Sequence, residues 1–154
     1  MNDILFSPAS YSVERPKPSR TKALLAVRVG PGSKPKAVAR AVVAICSEID
    51  AALAPVVGPH GVAALYRRSL YLTAQSHSEL AGLHEAVETL MDVADLRVRL
   101  ETLSSEQAAT VGVALLETFQ ALLESLVGSS LTERLLSSLW DRPLSDPPAL
   151  EPTP

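Results

Sequence analysis

Cysteine is almost missing from this chain: Cys46 stands alone. One thiol cannot close an internal disulfide, so nothing staples the fold, and the composition suits a reducing, cytoplasmic compartment. Aromatic residues are scarce at 4% while apolar residues make up 47%, so the core must be aliphatic. Apolar runs are short. None approaches the roughly 18–20 uncharged residues that span a bilayer, and "ALLAV" at 23–27 ends against Arg28. Residues 1–6 show no basic lead-in and no small-residue cleavage site. The expectation is no signal peptide and no membrane segment.

Two further absences divide the chain. Proline does not occur from His60 to Arg142, although the sequence has twelve prolines elsewhere. Proline lacks an N–H and clashes with the preceding helical turn. A proline-free stretch dense in Leu and Ala therefore reads as a helical body. Lysine does not occur after Lys36. Residues 1–36 carry a net charge of +5 and residues 37–154 a net charge of -8. The organisation expected is a basic, Pro-rich arm at 1–34, a helical domain at 35–142 and a disordered tail at 143–154.

What is present is helical periodicity. Val38, Val42, Ile45, Ile49 and Leu53 recur at steps of three and four, which predicts a helix over 35–54 stopped by Pro55. A second helix is predicted over 59–75, with Pro59 in its first turn. Tyr66 falls on its apolar face and Tyr71 on the opposite face with Arg67 and Arg68. A third is predicted over 78–91, with Ser76 and Glu79 as a capping box and Leu80, Leu83, Val87, Leu90 and Met91 as its stripe. The fourth, over 105–127, begins at Ser104 and Gln107 and stops at Gly128. Its apolar arc is broad enough to touch two neighbours. The fifth, over 131–141, carries Ser130 and Glu133 in capping-box spacing.

Two segments alternate as strands do, 24–29 and 95–101, and leave open a small two-stranded ribbon in an α+β fold. The fold class expected is all-α, a bundle of four to five helices with Pro-rich ends.

Signals for chemistry are sparse. Cys46, His60, His77 and His84 show no i, i+4 pair and there is no C-x-x-C, so neither a metal nor a cofactor is expected. There is no G-x-S-x-G. "GPGSKPK" at 30–36 lacks the order of a phosphate-binding loop. "AQSHSELAG" resembles the A-H-x-L-K-G pattern of histidine phosphotransfer domains in residue types. Its leucine and glycine fall three and five residues after His77, and its lysine is missing. That resemblance implies a phosphorylated histidine as one alternative. A nucleic-acid-binding regulator is the other, since Arg67, Arg68, Ser69, Tyr71 and Gln75 are types a recognition helix uses. The acidic body argues against it by repulsion.

The primary expectation is a non-enzymatic protein–protein interaction or regulatory module, of the kind that serves as a bacterial signalling adaptor. Tyr and Arg are enriched where proteins meet, which selects Arg67, Arg68 and Tyr71. The surplus apolar surface of the last two helices selects Leu116, Leu123, Val127, Leu136 and Trp140 for a homodimer or a hetero-complex.

Overall fold

The computed structural model describes residues 20–30 and 34–141. The arm before residue 20 and the tail after residue 141, both expected to be loose, lie outside the described residues. Among those described, the chain is all-α. Its elements are α1 (Arg20–Val29), α2 (Pro35–Ala74), two single 3-10 turns (Ser78–Leu80 and Leu83–Ala86), α3 (Ala94–Glu101), α4 (Ser105–Val127) and α5 (Ser129–Asp141).

α2 is two helices joined at Gly58, where φ is 82° and ψ is 156°. That region of backbone space is open essentially to glycine alone. Counting its halves separately gives six helices rather than four to five. The halves fold back on one another as a hairpin, since Val38 and His77, from opposite ends, line one groove. The expected stop at Pro55 falls three residues early. Pro55 cannot donate to the carbonyl of Ala51, but Ala51 is exposed, and the helix continues to Val57. The reversal needs Gly58, and Pro59 then opens the returning half. The α4–α5 joint repeats the device: Gly128 has φ 90° and ψ 158°.

α4 lies along the hairpin. Val42 sits so close to Gly112 that a Cβ there would approach its Cγ2 to 2.6 Å. Ile45 and Ile49 meet Leu116 and Phe119, and α1 and α5 close over the same place with Leu24, Leu136 and Leu139. The core is continuous and aliphatic, with Leu53, Val62, Leu70, Leu80, Leu96, Leu100, Leu115 and Leu123 at 0–1% exposure. Tyr66 is its largest fully buried side chain, at 1%. Removing apolar surface from water at about 25 cal/mol per Å² is the main stabilising term for such a core.

Three expectations are corrected here. The ribbon does not form: 24–29 belongs to α1 and 95–101 to α3. Leu24 and Leu25 on α1, like Leu96 and Leu100 on α3, have one face to bury, and helical backbone satisfies its own polar groups without a strand partner. The folded body also starts earlier than residue 35. α1 is buried through Thr21, Leu24 and Leu25, and Arg28 grips Glu48 with two donated bonds of 2.6 and 2.8 Å. The third expected helix, 78–91, is replaced by two turns and an irregular run to residue 93.

By length and composition α2 and α4 are nevertheless long and apolar enough to cross a membrane. Gly58 divides the first of them into segments of opposite direction.

Candidate functional site

The returning half of α2 presents two tyrosines five residues apart. Five residues rotate a helix by about 140°, so the two rings leave opposite sides. Tyr66 enters the core; Tyr71 is 42% exposed. The 3-10 turn at Leu83–Ala86 lies against this half of α2 and brings His84 to Tyr71. The ring centroids are 5.2 Å apart with planes at 73°, an edge-to-face contact. Tyr71 also carries the Arg68 guanidinium over its ring, 5.6 Å from the ring centre. Gln75 Nε2 donates to the Tyr71 carbonyl at 3.1 Å.

Arg68, Tyr71 and His84 line an open cleft of about 510 Å³ together with His60, Ala64, Arg67 and Glu88. Arg67 and Arg68 have no carboxylate within ion-pair distance among the described residues. Two guanidiniums against one carboxylate, Glu88, make the cleft locally cationic on a body that is acidic as a whole. His84 Nδ1 is shut from solvent and has no hydrogen-bond partner among the described residues. The cleft thus offers a half-exposed aromatic plate, two forked donors and an imidazole, side-chain types suited to carboxylates and apolar groups side by side.

Arg67, Arg68 and Tyr71 come together as the helical spacing requires. The other residues expected at an interface do not join them. Leu116, Leu123 and Leu136 are 5%, 0% and 2% exposed, so α1, α2 and α5 already cover the surface that was to face a partner. Val127 is half-buried against the core. Position 140 lies in the last turn of α5, and the Trp140 side chain lies outside the described residues. Most of the broad arc of α4 is covered within the chain because α1 occupies one side of it, while Leu126 stays 62% exposed.

The sequence does not reveal His84 and Glu88 as neighbours of Tyr71. Their placement depends on the turns at 78–86, which a helix over 78–91 would have replaced. His77 stands half-buried in the link after α2, not within a helix as the phosphotransfer pattern requires. Cys46 is fully buried, and desolvation pushes its thiol up to about 12, so it stays protonated and unreactive at neutral pH. No cluster of three or more His, Cys, Asp or Glu side chains able to hold a metal occurs among the described residues. No protein-family model, curated protein or solved structure matches this chain.

Proposed function

We propose that this protein is a non-enzymatic binding module whose recognition surface is the Tyr71 cleft, and that its partner offers an acidic, partly apolar peptide segment. The observation that carries the reading is Tyr71 itself: a large aromatic ring, 42% exposed, held by contacts with Arg68 and His84. A ring already held by two neighbours loses little conformational freedom on binding, and Tyr and Arg are the residue types that dominate interface energetics. Arg67 and Arg68 supply the charge that selects a carboxylate-bearing segment and speeds encounter with it. The role is regulatory or adaptor-like, since the groups in the cleft are suited to recognition and include no activated nucleophile.

Comparative capture tests it. The full chain and its Tyr71→Ala, Tyr71→Phe and Arg67→Ala/Arg68→Ala variants are used as baits under identical conditions. A specific partner is lost with Tyr71→Ala and with the double arginine change, and is retained by Tyr71→Phe, which keeps the ring. Recovery of the same partners by all four baits would refute the assignment of the cleft.

A further inference from the structure

A second surface, independent of the Tyr71 cleft, runs along the outer side of α4. Three depressions meet there. One, of about 630 Å³, lies between α1 and the start of α4 and has Leu25, Val29, Ala109 and Val113 in its lining. A second, of about 530 Å³, lies between the end of α2 and α4, and a third, of about 300 Å³, lies beside Arg20. All three share Glu117. Together they form a valley whose floor is α4 from Ser105 to Ser125, about 30 Å long at 1.5 Å per residue. Small side chains at Ala109, Ala114 and Ala121 keep the floor low enough for another backbone to approach at helix-packing distance.

Charge decides what fits. Glu106, Glu117 and Glu124 are spaced by eleven and seven residues, whole numbers of helical turns, so they form one acidic row down the valley. Lys22 and Arg20 stand on the α1 rim. A second copy of this chain paired by two-fold symmetry through α4 would set that row against itself. On the opposite wall, Thr73 is 4% exposed and its Oγ1 has no hydrogen-bond partner among the described residues, so the wall holds an unmet polar group as well as apolar surface.

We propose that the valley over α4 is a docking site for an amphipathic helix of another protein, about 20 residues long, with a stripe of small apolar residues flanked by lysine or arginine. The stripe covers the half-buried Val29, Ala109, Val113 and Ala114, and the flanking cations meet Glu106, Glu117 and Glu124.

The test uses the isotope-labelled full chain and two synthetic 20-residue helical peptides. Both carry the same Leu/Ala stripe; one is flanked by lysines, the other by glutamates. The lysine peptide is expected to bind and to shift backbone amide signals within 25–29 and 109–121, and the glutamate peptide is not. Glu106→Lys with Glu117→Lys should weaken binding at least tenfold. Asp95→Lys with Glu85→Lys makes the same change in net charge away from the valley and should alter it less than twofold. All four positions are exposed, and melting curves establish that each variant folds. Equal weakening by the two pairs would reduce the effect to overall charge and overturn the proposal. So would absence of binding, or shifts centred on Tyr71. Concentration-dependent broadening of the valley signals in the peptide-free protein would overturn it in favour of a second copy.

Discussion

α4 and the segment from 75 to 93 carry the same kind of start signal, and only one of them obeys it. Ser104 accepts from the Gln107 N–H at 3.1 Å while Gln107 Oε1 accepts from the Ser104 N–H at 3.2 Å, so the capping box at α4 is complete. Ser76 and Glu79 have the same spacing, yet no capping bond forms there; His77 precedes a single turn, and the chain turns left-handed at Gly82 with φ 83°. The difference lies in what each segment gains by being helical. α4 has one broad apolar face and helices on several sides to bury it. The 75–93 segment has fewer, and it buries Leu80, Leu83 and Val87 as well from turns. Its unpaired carbonyls are met from another element: Arg99 on α3 donates to the carbonyls of Glu79 at 2.8 Å and Ala81 at 3.2 Å. A local signal sets structure where tertiary packing agrees with it, and yields where packing offers an equal solution.

Several substitutions sharpen that contrast. The largest effect is expected at Tyr66→Ala, which empties a 1% exposed site in the core. Aromatic-to-alanine truncation in a core costs roughly 3–5 kcal/mol. Urea denaturation that finds a loss below about 1 kcal/mol would mean the ring is not where the core requires it. Gly112→Ala comes next, because the new Cβ meets Val42 Cγ2 at 2.6 Å and Val42 is fully buried. Overpacking of this kind costs about 1–3 kcal/mol, and it should raise amide exchange along both α2 and α4.

Arg99→Ala addresses the other region. It leaves two carbonyls without their donor, at a cost of roughly 1–3 kcal/mol. The distinguishing readout is hydrogen exchange: protection should fall across 78–87 and remain in α4. Uniform loss would show that the segment and α4 open as one unit. Ser104→Ala removes the cap that 75–93 lacks and should cost about 1 kcal/mol, lowering the melting temperature by a few degrees with fraying confined to the start of α4. Smallest of all, Tyr71→Ala should change stability by less than about 0.5 kcal/mol, as surface substitutions do, while it removes partner capture. A stability loss equal to that of Tyr66→Ala would overturn the orientation of this half of α2.

Local periodicity determined much of this molecule. The helical class, the limits of α4, the stop at Gly128 and the opposite fates of Tyr66 and Tyr71 all follow from residues within a few turns of one another. The candidate cleft was half legible for the same reason: Arg67, Arg68 and Tyr71 share a helix face by spacing alone. Tertiary structure decided the remainder. Ser130 and Glu133 have capping-box spacing, but α5 begins at Ser129, because the glycine joint hands one helix directly to the next and Thr132 bonds back to the Gly128 carbonyl. Leu24–Val29 alternates like a strand and folds as a helix because α4 and α2 leave a trough that a helix fills. Leu116, Leu123 and Leu136 look like surplus in the sequence and are core in the fold, since the count of neighbours around α4 is set by how the hairpin at Gly58 closes. His84 reaches Tyr71 from turns that are held by Arg99, twenty residues from Glu79, and by the burial of Leu80, Leu83 and Val87. Periodicity reports which side of an element is apolar. It carries no information about how many partners meet that side, and that number is fixed by contacts between residues far apart in the chain.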